Sequence, residues 1–194
     1  MSFFVFCMIP LAISYMYAHV YCETRKVSLM ESDRKIIFGK ALICLGLNFL
    51  LMNITGKFQK NSCMLLLLLE ILSGIDIFIL RIPTELLVAA ALISGCLMFR
   101  IPLPVFPFVT SIFIGAVFRI FRDRIGIGSY DILLMVLLGA MLPDVVTQVK
   151  YIAVILILWG ILGIAVRALK SKRDIMIPLV PLITFSYYAV RTLL

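Results

Sequence analysis

Long apolar segments alternate with short polar connections along the whole chain. A helix that crosses a bilayer needs about 20 mostly apolar residues, and fewer where protein shields its ends. Eight segments meet this requirement, at roughly 3–21, 41–55, 63–80, 85–99, 104–121, 130–148, 151–168 and 175–193. The second and the fourth are short enough to be only partly embedded. The pattern therefore predicts an all-α, polytopic transmembrane helical bundle of about eight spans, with six as the lower limit.

Composition indicates the same class of protein. Of the 194 residues, 63% are hydrophobic and only 14% are charged, whereas a soluble domain averages about 45–50% apolar residues. So few charges cannot cover the surface of a soluble protein of this size. The chain shows neither an internal repeat nor a low-complexity linker. We therefore expect residues 1–194 to form a single domain embedded in the lipid bilayer.

Basic residues predict the orientation of this bundle. With eight spans, the connections on one side carry 13 of the 18 lysines and arginines, and those on the other side carry 5. Because cytoplasmic connections are enriched in basic residues, the first side should face the cytoplasm of a multi-pass protein of the cell membrane. The net charge of +8 then suits anionic lipid headgroups. No basic run interleaved with aromatic residues indicates nucleic acid as a partner.

Potential metal ligands are scattered rather than clustered. The five cysteines contain no CxxC pair, and His19, the single histidine, has no second ligand at a suitable spacing. A zinc site needs several ligands close together. We therefore interpret the cysteines as small apolar residues and expect no metal site.

Four of the ten acidic residues lie in or near the apolar segments: Glu70, Asp76, Asp131 and Asp144. An acid inside a bilayer is costly and usually marks a functional site. Asp144 follows Pro143 and suits a helix end. Glu70 lies about 120° around the helix from Asp76, and we expect it to have a structural role. Asp76 falls at the cytoplasmic end of the third span and Asp131 at the cytoplasmic start of the sixth, so the two should meet.

Two carboxylates at one membrane face can hydrolyse a peptide bond without a metal. The ionised carboxylate takes a proton from water, while the protonated one polarises the scissile carbonyl. Gly126 and Gly128 precede Asp131, and glycines there would let the backbone turn tightly. The same acids could instead bind protons or cations for transport, or stabilise the fold. The residues alone leave these three alternatives open.

Three short motifs follow one another between about residue 63 and the end of the chain. Asp76 is followed by Arg81-Ile82-Pro83, the second acid closes Gly128-Ser129-Tyr130-Asp131, and Ile177-Pro178-Leu179-Val180-Pro181 opens the last span. In this order and spacing the motifs resemble those of the type IV prepilin peptidases. These are leader peptidases of the GxGD class of membrane aspartyl proteases.

The resemblance implies an aspartyl endopeptidase of the short, peptidase-only form. It would cleave a basic leader from a pilin-like precursor at the cytoplasmic membrane face, with Asp76 and Asp131 as the catalytic pair and without a cofactor. The residues that would shape the site or contact the substrate are Gly126, Gly128, Tyr130, Pro83 and Pro178. Members that also N-methylate the product carry paired cysteines, so we expect no methyltransferase activity here.

Two positions depart from the family pattern. Tyr130 stands where the family has the second glycine of its motif, and Leu133 stands where it usually has lysine. These departures favour an alternative, a catalytically silent homologue that binds pilin-like helices. A further alternative is a small transporter that uses Glu70, Asp76 and Asp131 as proton or cation sites. The presenilin and signal-peptide-peptidase group is less similar, because Tyr130-Asp131 is here the second acid motif and not the first.

Overall fold

The computed structural model describes residues 4–25, 34–55, 63–79, 84–98, 105–125, 127–168 and 178–193. Within these ranges the chain is all-helical and contains no strand, as the sequence predicted. A π-helical turn, Phe4–Met8, leads into the first α-helix. The eight α-helices of the described residues are α1 Ile9–Arg25, α2 Arg34–Thr55, α3 Cys63–Ile79, α4 Thr84–Met98, α5 Val105–Ile125, α6 Ser129–Ala140, α7 Val145–Ala168 and α8 Val180–Leu193.

Two of the described helices are long and apolar enough to cross a membrane. Helix α5 meets the requirement over Val105–Arg122, with a mean hydropathy of 1.6, and α7 meets it over Val145–Ala165, with a mean hydropathy of 2.1. Only 22% and 17% of these two stretches is buried by the rest of the protein. Most of their apolar side chains therefore face outward, whereas the core helix of a soluble protein would be mostly buried.

The segment predicted as one span over 130–148 is two helices, and that prediction is wrong. Helix α6 ends at Ala140 and α7 begins at Val145. Asp144 caps α7, because its carboxylate accepts the backbone N–H of Thr147 at 2.8 Å and the Thr147 hydroxyl at 2.7 Å. These bonds, with the hydroxyl as the largest contribution, lower the pKa of the exposed Asp144 carboxyl. A proline followed by an N-capping acid stops one helix and starts the next.

Charged residues extend two helices beyond the apolar segments that predicted them. Helix α2 begins at Arg34 rather than near residue 41, and α5 continues to Ile125 rather than ending near residue 121. Lysine and arginine are good helix formers, and their long apolar stems allow the charged groups to leave an apolar environment. Apolar content alone therefore underestimated the length of these helices.

Helices α3 and α8 form the centre of the structure. Helix α3 packs against α1, α2, α4 and α8, while α8 packs against α2, α3, α6 and α7. Their largest buried side chains include Leu69, Leu72, Tyr187 and Tyr188. These two helices carry a large share of the buried side chains, so the groups on their facing sides are enclosed by neighbouring helices.

Helix α1 lies against α3 at very short range. A Cβ atom at Gly74 would clash with Ser14, so the approach requires glycine at this position. The Ser14 hydroxyl donates to the backbone carbonyl of Ile71 at 2.9 Å. This contact fixes the half of α3 that leads to Asp76.

Gln148 joins α5, α6 and α7 at the end where α6 stops. Its side-chain nitrogen is buried and lies 2.6 Å from the carbonyl of Pro107, 2.8 Å from the Ser111 hydroxyl and 2.8 Å from the carbonyl of Gly139. Its side-chain oxygen accepts from the Thr110 hydroxyl. Buried polar groups are normally satisfied in this way, and here one side chain on α7 bonds to groups on two other helices, α5 and α6.

Candidate functional site

The two candidate acids lie together at one end of the packed helices. Asp76 lies on the last turn of α3 and Asp131 on the first turn of α6. Their carboxylates are close enough for the two negative charges to repel each other. Helices α4 and α8 also begin at this end, since Thr84 contacts Tyr130 and Val180 contacts Asp76. Four helix ends therefore surround the acid pair.

Asp76 is buried and held by the start of α8. Only 5% of its surface is exposed. The backbone N–H of Val180 donates to its Oδ2 at 3.1 Å, and the backbone of Leu179 also interacts with the carboxylate. The first N–H groups of a helix have no partner within the helix, and they favour a negative charge at that point. Asp76 therefore satisfies the donors at the start of α8 while those donors fix its orientation.

Pro178 stands directly before these donors. It is half-buried and precedes the first residue of α8 by two positions. A proline has no backbone N–H, so the chain enters the helix without adding a donor that would need a partner. The position agrees with its predicted place at a helix end beside the acids.

Asp131 is half-buried and turns back towards the start of its own helix. Its Oδ2 accepts the backbone N–H of Gly128 at 3.1 Å. A Cβ atom at Gly128 would lie 2.6 Å from that same oxygen, so a larger residue here would push the carboxylate out of its observed position. The backbone of Gly128 is extended, with φ −68° and ψ 150°. The backbone at Gly128 itself is therefore not the tight turn that the sequence predicted, and its missing side chain leaves space beside Asp131.

Tyr130 lies at the rim of the site. Its side chain is 46% exposed, and its hydroxyl accepts from the Thr84 hydroxyl at 3.5 Å. Leu133, the second departure from the family pattern, is 51% exposed on the outer side of α6. Both departures therefore concern exposed side chains. Two further predicted residues, Gly126 and Pro83, lie outside the described residues.

A line of polar contacts between α3 and α8 starts at Asp76. The sequence did not predict it. Next to the contact between Asp76 and Val180, the Ser73 hydroxyl donates to the Thr184 hydroxyl at 3.1 Å. One turn further, Glu70 interacts with Tyr188. We call these three pairs the polar ladder. Its positions rise by four along α8 and fall by three along α3, so the two helices are antiparallel.

Glu70 lies at the far end of the polar ladder and does not join the acid pair. It is completely buried, and its Oε1 accepts from the Asn48 side-chain nitrogen at 2.9 Å. Steps of three residues drift by about 60° around a helix, so the ladder winds along α3. This explains how Glu70 and Asp76 can occupy different faces of one helix and both be enclosed.

The arrangement suits proton transfer to and from a water molecule. Two carboxylates near each other favour a state in which they share one proton. Such a pair contains one group able to accept a proton and one able to donate it. Within the described residues, no group of three or more His, Cys, Asp or Glu side chains is placed to hold a metal ion. Two carboxyl groups in this arrangement can exchange protons with a water molecule.

Comparison with known proteins assigns no family. The chain matches no family model, no curated protein and no solved structure closely enough to identify a relative. The acid pair and its surroundings are therefore the features that bear on function.

Proposed function

We propose that this protein is a multi-pass membrane aspartyl endopeptidase that removes a basic leader from pilin-like precursors at the cytoplasmic membrane face. The observation that carries the proposal is the position of Asp76 and Asp131. They come from separate helices, and they lie at one end of the structure within electrostatic reach of each other. The order of the three sequence motifs supplies the substrate class.

In the proposed reaction, the ionised carboxylate of the pair removes a proton from water as the water oxygen attacks the scissile carbonyl carbon. The protonated carboxyl gives its proton to the carbonyl oxygen, which forms a neutral tetrahedral intermediate. That intermediate collapses when the carboxyl that took the proton from water gives it to the leaving nitrogen and the C–N bond breaks. The other carboxylate takes a proton from a hydroxyl of the intermediate as the new carbonyl forms, which restores a pair that shares one proton. The backbone N–H groups of Val180 and Gly128 hold the two carboxylates in place throughout.

The outer surface supports a position within the bilayer. Large apolar side chains are exposed on α1, α2, α4, α5, α6 and α7, and many of them are aromatic or branched. A soluble protein rarely exposes so much contiguous apolar surface, whereas lipid chains would cover it. The bilayer would also let an apolar substrate helix approach the site from the side.

The charges support an acid pair at the cytoplasmic face. Arg119 and Arg122 lie on the last turns of α5, at the end of the structure that holds the acids. Lys150 and Arg191 lie near the start of α7 and the end of α8, which are at the opposite end. The larger number of basic residues on the acid side, counted over the whole sequence, favours the cytoplasm for that end.

Co-expression with candidate pilin-like precursors tests the proposal. We expect the wild type to shorten a precursor, seen as a gel shift with a new N-terminus by sequencing, and expect Asp76→Asn and Asp131→Asn to leave it intact. Asp144→Asn is the matched control, because Asp144 also starts a helix but lies at the opposite end. Cleavage that persists in both Asn variants would refute the acid pair.

A silent homologue would give a different result in the same cells. The precursor would stay uncleaved with every variant and would still co-purify with the wild-type protein. That result would mean that the protein binds pilin-like helices without cleaving them.

Transport is the second candidate function, and the polar ladder is the observation that favours it. Glu70 and Asp76 are joined by buried polar side chains along one helix pair. A transporter reconstituted in liposomes would show proton- or cation-coupled flux that is lost in Glu70→Gln and Asp76→Asn. An endopeptidase would show no such flux, and its Glu70→Gln variant would still cleave.

A further inference from the structure

Helices α2 and α3 enclose an acidic residue that the proposed reaction does not use. Glu70 and Asn48 are both completely buried. The Asn48 side-chain nitrogen donates to Oε1 of Glu70 at 2.9 Å. One oxygen on each side chain, Oε2 of Glu70 and Oδ1 of Asn48, is buried and has no hydrogen-bond partner among the described residues.

These two oxygens can be satisfied together by a single proton. If Glu70 were ionised, both would be acceptors, and leaving an acceptor buried and unpaired is destabilising. A buried carboxylate without a cationic partner costs considerably more. A proton on Oε2 changes that oxygen into a donor for Oδ1 of Asn48. Together with the bond from the Asn48 nitrogen to Oε1, this second bond would join the carboxylic acid and the amide in a closed ring.

The surroundings of Glu70 offer no positive charge to hold it as an anion. The titratable groups that interact with it are Cys7 on the π-helical turn, Cys44 on α2 and Tyr188 on α8. Within the described residues, no lysine, arginine or histidine forms an ion pair with it. Arg191 interacts with Tyr188, but its guanidinium donates to the Tyr187 hydroxyl at 2.6 Å.

We propose that Glu70 and Asn48 form a buried proton-binding site, in which Glu70 is a neutral carboxylic acid paired with the Asn48 amide through two hydrogen bonds. The site joins α2 to α3 in the centre of the protein. It lies about 9 Å along α3 from Asp76, since the two acids are six residues apart. The proposal is independent of the endopeptidase function and needs no substrate.

Infrared spectroscopy of the wild-type protein tests the proton directly. In protein labelled with ¹³C at glutamate side chains only, a protonated carboxyl gives an isotope-shifted carbonyl band apart from the carboxylate bands. Labelling glutamate excludes the aspartates of the acid pair. We expect this band at neutral pH in the wild type, and its loss in Glu70→Gln. Absence of the band in the wild type would overturn the proposal.

The stability of Glu70→Gln in detergent gives a second test. Glutamine keeps one donor and one acceptor and can form the same pair of bonds with Asn48. We expect its melting temperature at neutral pH to equal or exceed that of the wild type. Glu85→Gln, at an exposed site on α4, is the matched control, and its melting temperature should be close to that of the wild type. A melting temperature well below that of the control would mean that the carboxylate is needed, and would overturn the proposal.

The pH dependence of that comparison has a defined sign. The folded wild type keeps a proton on Glu70 that the unfolded chain releases, so its stability falls as the pH rises. The Glu70→Gln variant lacks this contribution. The difference in melting temperature between the variant and the wild type should therefore grow, in favour of the variant, as the pH rises. An advantage that does not change with pH would contradict the proposal. Removal of sodium or potassium gives a further test. If it lowers the stability of the wild type but not that of Glu70→Gln, the site binds a metal cation, and the proposal is overturned.

Discussion

At the scale of single residues, each acid of the candidate pair is held by a backbone N–H at the start of a helix. Val180 donates to Asp76 across two helices, while Gly128 donates to Asp131 within one turn. Such donors cannot rotate away as a side-chain donor can. In the proposed endopeptidase the carboxylates would therefore be oriented before a substrate arrives, which is how preorganised groups lower a reaction barrier.

Gly128→Ala should impair catalysis through Asp131. The added Cβ would displace the carboxylate and break a hydrogen bond to a charged group, worth about 1.5–3 kcal/mol. We expect kcat/KM for precursor cleavage to fall by about tenfold to a hundredfold, with little loss of folded protein. Gly160→Ala is the matched control, because a Cβ at Gly160 meets no atom within 4 Å. Equal cleavage by the two variants would show that the close approach at Gly128 is unimportant.

At the scale of helices, apolar content predicted which segments are helical but not all of their ends. It missed the break between α6 and α7, because Pro143 and Asp144 interrupt the apolar residues only briefly. The capping bonds from Thr147 to Asp144 determine this break. They join residues only three positions apart, so this helix start could have been predicted from the local sequence. The role of Gln148 was not predictable, since its partners lie on two other helices.

Gln148→Leu should destabilise the packing of α5, α6 and α7. Leucine fills a similar volume but leaves the carbonyls of Pro107 and Gly139 and the Ser111 hydroxyl without this partner. The two carbonyls keep other donors, the Thr110 hydroxyl on Pro107 and the Leu142 N–H on Gly139. We expect the free energy of unfolding in detergent to fall by about 1–3 kcal/mol, the range for loss of one buried hydrogen-bonding partner. Val149→Leu, at the exposed next position, should change it little. A loss of similar size in both variants would contradict the assigned role of Gln148.

At the scale of the whole molecule, the sequence predicted that Asp76 and Asp131 meet, because the number of helices between them places both at one end. It did not predict the polar ladder. Ser73 and Thr184 are ordinary residues in apolar segments, and only the antiparallel packing of α3 on α8 pairs them. The burial of Glu70 on another face of α3 has the same cause, since neighbours surround that helix.

The proposed orientation can be tested by labelling introduced cysteines in intact cells. In a variant whose five native cysteines are replaced by alanine, Arg119→Cys and Lys150→Cys place single thiols at exposed positions near opposite ends. A membrane-impermeant maleimide should label position 150 from outside, and position 119 only after permeabilisation. Labelling of position 119 in intact cells would put the acid pair on the wrong side for a cytoplasmic leader.

The central claim is that Asp76 and Asp131 together cleave a pilin-like precursor, and the rate of that cleavage by protein reconstituted in bilayers tests it most directly. We expect Asp76→Asn and Asp131→Asn each to lower the rate by about a hundredfold to ten-thousandfold, the range for loss of an acid or base catalyst. The double variant should be no slower than the slower single one, because the pair acts as a unit, and Asp144→Asn should match the wild type. Wild-type rates in either single variant would contradict the claim.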